Sequence, residues 1–204
     1  SMTDAHTAYA FAETAGAPDA PLVFTFHGTG GSERQFHDLP AQILPGAHVI
    51  SPRGDVDEAG ALRFFRRTGE GVYDMDDLAA RTETMARFVA DARARVGAAR
   101  VIGLGYSNGA NILASVAMRD AGLFDDLVLM HPLIPWQPDP QPGLAGRRVL
   151  ITAGERDPIC PAPLSRALID WFGAQGAHVS ARWHPGGHEI AQTEIAAMAA
   201  FLQG

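Results

Sequence analysis

The pentapeptide at 105–109 reads Gly-Tyr-Ser-Asn-Gly, a G-x-S-x-G pattern centred on Ser107. The apolar run 100–104 before it is predicted to be a buried strand, and the apolar segment 110–118 after it a buried helix. A serine on so sharp a turn has a strained backbone, and the flanking glycines remove the collisions that side chains would make there. The pattern predicts a nucleophilic serine at a helix N-terminus, where N–H groups favour developing negative charge.

Two other interpretations of this stretch are open. Gly103, Gly105 and Gly109 also form G-x-G-x-x-x-G after a strand, a loose variant of a dinucleotide-binding pattern. The strand predicted to follow ends at 130–131 without an acid to hold a ribose, which weakens that interpretation. A G-x-S-x-G also arises by chance in glycine-rich chains, and this one has 22 glycines.

A serine hydroxyl needs a base to take its proton, and an oriented histidine is the usual base. His188 follows a Pro-Gly-Gly turn between the last predicted strand and the last predicted helix, where the chain order serine, acid, histidine places the base. His184 is the nearest rival and is expected to pack at the strand end. The glycines between them break the helix that would align two metal ligands, so no metal is predicted.

Asp157 is the predicted acid that orients this histidine, because it follows the strand predicted to end at Ala153. The competing role is a turn-forming Asp-Pro. Glu155 is interpreted as a solvated loop residue. Asp125 and Asp126 precede a strand, so we expect them at the opposite edge of the sheet.

Acyl chemistry also needs two fixed N–H donors for an oxyanion. Asn108, directly after the serine, is expected to supply one. Thr29 is expected to supply the other, because the glycines of its loop 27–31 let the backbone approach a substrate. A phosphate cradle is the competing interpretation, but the chain has no lysine and the loop lacks the P-loop spacing.

The elements that must position these residues alternate along the chain. Predicted strands cover 9–13, 22–27, 48–51, 100–104, 127–131, 148–153 and 178–183. Predicted helices cover 32–44, 76–96, 110–118, 163–173 and 189–202. A polar loop at 52–71 and a proline-rich stretch at 132–142 lie between them. The alternation predicts an α/β fold with a mostly parallel central sheet, helices on both faces, and the active site beyond the carboxyl ends of the strands.

Composition narrows the class of protein. The 204 residues predict a single domain with a substantial core, and 47% of them are hydrophobic. The net charge of −7 and the lack of a basic cluster argue against nucleic acid as a partner. We expect no stable membrane insertion, since no apolar run reaches spanning length. The single cysteine, Cys160, excludes an internal disulfide and favours a cytoplasmic location and a buried structural thiol. Ser1 and Met2 are interpreted as a tag scar.

Together, these motifs resemble those of the phospholipase/carboxylesterase family of α/β-hydrolases, which is related to acyl-protein thioesterases and dienelactone hydrolases. The residues that carry the likeness are 27–31, 105–111, 154–161 and 187–188. Segments 51–54, 63–67 and 71–74 are similar to a narrower set, the MhqD-like predicted esterases of bacteria, some of them associated with quinone stress.

The resemblance implies a compact α/β-hydrolase. No connection is long enough to hold a helical cap, so no large lid is expected. Ser107, Asp157 and His188 would form the triad, and Thr29 and Asn108 the oxyanion hole. Acyl-protein thioesterases usually carry Gln after the nucleophile, and this chain has Asn108, which argues against long-chain thioesters. The family needs no cofactor.

The loops at 52–71 and 132–142 are predicted to wall the substrate pocket. Its candidate lining residues are Arg63, Phe64, Phe65, Ile134, Trp136 and Ile159. The alternative is that these side chains only pack the loops down. The arginines at 63, 66 and 67 either attract a carboxylate or pair with nearby acids.

The sequence predicts a serine hydrolase that cleaves carboxylic esters of small, soluble substrates through an acyl-enzyme. Thioester and lactone hydrolysis are the alternatives within the same chemistry. A non-catalytic protein that binds a quinone or small aromatic molecule is the alternative outside it. The expected partner is the small-molecule ester, and a homodimer is left open.

Overall fold

A seven-stranded sheet forms the centre of the molecule, for which a computed structural model describes residues 8–204. The proposed tag scar at Ser1 and Met2 lies outside the described residues. The strands of this sheet are β1 (Phe11–Thr14), β2 (Leu22–Phe26), β3 (His48–Pro52), β8 (Val101–Tyr106), β9 (Asp126–Met130), β10 (Arg148–Gly154) and β11 (His178–His184). Four short strands form two separate hairpins: β4 (Val56–Glu58), β5 (Ala61–Arg63), β6 (Arg67–Gly69) and β7 (Val72–Tyr73).

The strands are ordered β1-β3-β2-β8-β9-β10-β11. β1 runs antiparallel to β3, and every other neighbouring pair is parallel. The helices are α1 (Leu39–Ile43), α2 (Met75–Val96), α3 (Asn108–Arg119), α4 (Ala162–Ala174) and α5 (Gln192–Gln203). The predicted α/β class with a mostly parallel sheet is confirmed.

Both faces of the sheet are covered, because consecutive side chains of a strand point to opposite sides. In β2, Phe24 packs into a cluster with Phe88 of α2. Its neighbour Val23 belongs to the cluster on the other face, together with Met198 of α5. All five residues of β2 are buried, which explains why four of them are apolar.

The predicted helix at 32–44 is wrong over most of its length, since α1 begins only at Leu39. Instead, the hydroxyl of Ser32 accepts the N–H of Arg34 in a local turn. The side-chain oxygen of Gln35 accepts the N–H of Gly28 at 2.9 Å. Pro40 then occupies the first turn of α1, a position that proline tolerates.

The predicted loop at 52–71 is instead two hairpins. β4 and β5 are joined by Ala59 and Gly60, whose φ values of 51° and 91° match the two positive angles of a tight hairpin turn. β6 and β7 are joined by a turn that contains Gly71 at φ 69°. These strands were not predicted because each is only two or three residues long and pairs only within its own hairpin, outside the main sheet.

The segments that carry the candidate site leave the carboxyl ends of the parallel strands. Ser107 follows β8, Asp157 follows β10 and His188 follows β11. Asp126 begins β9 and pairs with Arg100 at the opposite edge, where the sequence placed it. Within residues 8–204, no helix is both long enough and apolar enough to cross a bilayer.

Candidate active site

Ser107 occupies a sharp turn between β8 and α3, with φ 54° and ψ −119°. A side chain at Gly105 would place its first carbon 2.7 Å from the carbonyl oxygen of Gly109. A side chain at Gly109 would collide with the carbonyl oxygens of Phe26 and His27 at the end of β2. The two glycines are therefore required by the close packing of this turn, as the sequence predicted.

The structure brings the three predicted triad residues into one hydrogen-bonded chain. Nε2 of His188 lies 2.9 Å from Oγ of Ser107, and Nδ1 of His188 lies 2.8 Å from Oδ2 of Asp157. Ser107 and His188 are half-buried, and Asp157 is buried. The geometry allows His188 to accept the serine proton while its other nitrogen donates to the carboxylate.

Asp157 is held as a carboxylate by the turn that follows it. Its Oδ1 accepts the backbone N–H groups of Ile159 and Cys160 at 2.8 and 2.9 Å. Burial alone would raise the pKa of Asp157, but the hydrogen bonds from Cys160, His131 and His188 outweigh it and lower the pKa. The turn after Asp157 is therefore compatible with the predicted acid role and does not compete with it.

Tyr106 fixes the loop that carries His188. Its hydroxyl donates to the carbonyl oxygen of His188 at 2.7 Å, and the centres of the two rings lie 5.3 Å apart. Burial raises the pKa of Tyr106 to about 12, so the hydroxyl stays a donor at neutral pH. The sequence analysis gave Tyr106 no role, because its partner lies 82 residues away in the chain.

A buried cluster stands behind Asp157. Nδ1 of His131 lies 2.9 Å from Oδ2 of Asp157, and Nε2 of His131 lies 2.7 Å from Oε1 of Glu194. The second carboxylate oxygen of Glu194 lies 3.3 Å from Nε2 of His184. The sequence analysis missed His131 and Glu194. The available signal was a histidine at the carboxyl end of β9, next to the strand that leads to Asp157.

Two groups of side chains within 8–204 bring potential metal-ligand atoms together: His131, His184 and Glu194, and His131, Asp157 and His188. In both groups, imidazole nitrogens face carboxylates at ion-pair distance. Direct contacts between imidazole nitrogens and carboxylate oxygens account for this arrangement. The absence of a metal stays a prediction.

The glycine-rich loop lies directly beside the serine turn. A side chain at Gly28 would place its first carbon 2.8 Å from the ring of Tyr106, the residue before Ser107. Thr29 is exposed, and its hydroxyl accepts Nη1 of Arg63 at 2.7 Å. Arg63 is thus engaged in holding this loop.

Asn108 begins α3, where a backbone N–H has no carbonyl partner within the helix. Its side-chain oxygen accepts the N–H of Phe64 at 2.7 Å, which fixes the segment after β5 against the serine turn. The side chains of Phe64 and Phe65 are fully buried in the core cluster. Their predicted role as pocket lining is not tested by this placement.

Two of the other predicted lining residues lie in the segment after β9, and the third follows β10. Ile134 and Trp136 line a cavity of about 260 Å³ together with Leu168 and Trp171 of α4. Ile159 is half-buried, two residues after the acid. The role of these three as substrate pocket stays a prediction.

Cys160 is a buried thiol, as expected. Its Sγ donates to the carbonyl oxygen of His131 at 3.3 Å. Burial and the charge of Asp157 raise the pKa of Cys160, so the thiol stays protonated and unreactive at neutral pH.

The chain is similar in sequence and in structure to known proteins. The chain is 39% identical to MhqD, a proposed hydrolase of Bacillus subtilis (strain 168), over 175 residues that span 85% of this chain and 88% of MhqD. The chain belongs to the phospholipase/carboxylesterase family of α/β-hydrolases. The family membership predicted from the motifs is thereby confirmed, as is a hydrolase of the carboxylesterase type. No protein-family model matches the chain.

Solved structures agree with membership of the phospholipase/carboxylesterase family. A protein of unknown function from Agrobacterium tumefaciens str. C58 superposes with a TM-score of 0.92 at 54% identity, over 98% of each chain. The Bacillus cereus carboxylesterase superposes with a TM-score of 0.88 at 33% identity, over 96% of this chain and 93% of that one.

Proposed function

We propose that this protein hydrolyses carboxylic esters of small, soluble substrates through an acyl-enzyme on Ser107. The observation that carries the proposal is the chain of hydrogen bonds from Ser107 through His188 to Asp157, at 2.9 and 2.8 Å. A small-molecule ester is the proposed partner, and the cytoplasm is the proposed location.

The first half of the reaction transfers the acyl group to the serine. Oγ of Ser107 attacks the ester carbonyl carbon while its proton passes to Nε2 of His188, which gives a tetrahedral oxyanion. Asp157 stabilises the resulting imidazolium without taking its proton. Collapse of the intermediate breaks the bond to the alcohol, and the alcohol oxygen takes the proton back from His188.

The second half releases the acid. A water molecule gives a proton to Nε2 of His188 as its oxygen attacks the acyl carbon. The second tetrahedral intermediate then expels Oγ of Ser107, which recovers its proton from His188. The products are the carboxylic acid and the free enzyme.

The backbone N–H groups of Thr29 and Asn108 are the proposed oxyanion donors. Two contacts support this assignment: Gly28 lies against Tyr106, and the start of α3 lies against the end of β2. Both bring the loop 27–31 next to Ser107. Arg63 and Phe64 then anchor the side chains of the two donors, so that their positions are set before substrate binds.

The exposure of the site supports a small, soluble substrate. Thr29 is exposed, and Ser107 and His188 are half-buried, so that an ester can reach the hydroxyl from solvent. Thioester and lactone hydrolysis would pass through the same acyl-enzyme. The leaving group therefore has to be determined by direct comparison of substrates.

The proposal is tested by steady-state hydrolysis of p-nitrophenyl acetate by the wild type and Ser107→Ala. We expect the variant to lose activity by a factor of about 10⁴ or more while its circular dichroism stays that of the wild type. Thioester and lactone analogues with the same acyl group form the comparison panel. Wild-type activity in folded Ser107→Ala would overturn the proposal.

A further inference from the structure

His131 occupies an unusual position for a histidine. It directly follows β9, its side chain is fully buried, and its backbone has φ 50°. A left-handed conformation at a non-glycine residue is strained and persists only where the surroundings enforce it. Its backbone N–H donates to the carbonyl oxygen of Thr152 at 2.9 Å, and its ring lies between two buried carboxylates.

Each ring nitrogen of His131 faces a buried carboxylate. Nδ1 contacts Asp157 and Nε2 contacts Glu194, at 2.9 and 2.7 Å. The contact with Glu194 is a close charge pair and not an aligned hydrogen bond. The other oxygen of each carboxylate accepts backbone N–H groups: Oδ1 of Asp157 accepts two, and Oε2 of Glu194 accepts that of Ala191 at 2.6 Å. Hydrogen bonds of this kind favour the charged form of both carboxyl groups.

The proton balance of this cluster therefore favours an imidazolium at His131. Burial opposes that charge, but Glu194 and Asp157 outweigh burial and raise the pKa of His131. The pKa of Glu194 is lowered despite its burial, with His131 the main cause. The two directions agree with a buried cation between two anions.

We propose that His131 is a positioning residue: as an imidazolium, it shares Oδ2 of Asp157 with His188 and thereby keeps His188 in its neutral, proton-accepting form at mildly acidic pH. The inference rests on the proposed ester hydrolysis. Its physical basis is that one carboxylate oxygen receives two imidazole N–H groups, so that part of its charge is already neutralised before His188 is protonated.

The other titratable groups around the two histidines do not substitute for this charge. Tyr106 faces both rings and stays neutral, and Cys160 stays a thiol. The ring of His184 lies 5.4 Å from that of His131 and contacts Glu194. Glu189 is exposed near Gly187. The groups that face His131 or His188 are Tyr106, Asp157, Cys160, His184, Glu189 and Glu194.

The test removes the cation together with its second counter-ion. In the double variant His131→Asn/Glu194→Gln, the asparagine keeps a neutral donor toward Asp157, and no buried carboxylate is left unpaired. The full charge of Asp157 then acts on His188. We expect the acid limb of kcat/KM for p-nitrophenyl acetate to move to higher pH by about one unit.

The control is His48→Asn, which breaks a histidine–carboxylate pair with Glu13 at the other end of the sheet. We expect its acid limb to stay in place. A purely structural role for His131 would instead lower kcat/KM equally at all pH values. An unmoved acid limb in a folded double variant would overturn the inference.

A second measurement on the wild type needs no variant to fold. Long-range proton–nitrogen NMR spectra should show both ring nitrogens of His131 protonated at pH 7. A neutral His131 with one N–H would overturn the inference, whatever the activity. Activity that survives in Ser107→Ala would instead overturn the proposed function, so the two failures are distinguishable.

Discussion

Ser107, the proposed nucleophile, has a backbone conformation that serine rarely adopts. Its hydroxyl makes no cap with α3, so the side chain is free to contact His188. This conformation accompanies a close approach of β8 and α3, where a Cβ at Gly105 would lie 2.7 Å from the carbonyl oxygen of Gly109. The backbone conformation that presents the hydroxyl to His188 is therefore expected to lower the stability of the fold.

This conformation predicts a stability difference between two inactive variants. Ser107→Gly and Ser107→Ala both lose the hydroxyl, but only glycine relieves the positive φ. We expect the free energy of unfolding of Ser107→Gly to exceed that of Ser107→Ala by about 1 kcal/mol. Urea denaturation measures the difference, and equal stabilities would show that the turn is not strained.

The sequence was sufficient to predict the order of Ser107, Asp157 and His188, because Ser107 and Asp157 follow apolar strands and His188 follows a Pro-Gly-Gly turn. It was insufficient for His131 and Glu194. Glu194 lies in α5, where a polar residue near a helix N-terminus looks like an ordinary surface residue. Only the packing of α5 against the sheet shows that its carboxylate is buried against His131.

At the scale of elements, the long strands were predictable and the short ones were not. β2, β8 and β9 are mostly apolar and almost fully buried, because both faces of the sheet are covered. β4 to β7 are only two or three residues long, and their pairing depends on turn geometry. These hairpins nevertheless carry Arg63, which contacts Thr29.

The close packing of α3 against β2 predicts a contrast between two glycines in helices. Ala at 109 would collide with backbone oxygens of β2, whereas Gly173 in α4 has open space around it. We expect Gly109→Ala to destabilise the fold by about 2 kcal/mol. We expect the control Gly173→Ala to stabilise it by about 0.5 kcal/mol, since alanine favours helix. Thermal unfolding compares the two variants, and a harmless Gly109→Ala would contradict this account of the turn.

At the scale of the whole molecule, the site forms only when strands that are far apart in the chain are assembled in one sheet. Ser107 and Asp157 are 50 residues apart and His188 is 31 residues further on, and they follow three different strands. The sheet places the ends of β8, β10 and β11 at one edge. The hydroxyl of Ser107 should therefore be an activated nucleophile in the folded chain and an ordinary serine in the unfolded one.

The most direct test of this claim is intact-mass spectrometry after treatment with a fluorophosphonate, on the wild type and on Ser107→Ala. We predict a single adduct on the folded wild type and none on the variant or on the wild type unfolded in urea. No adduct on the folded wild type, or an adduct that survives in Ser107→Ala, would contradict the account.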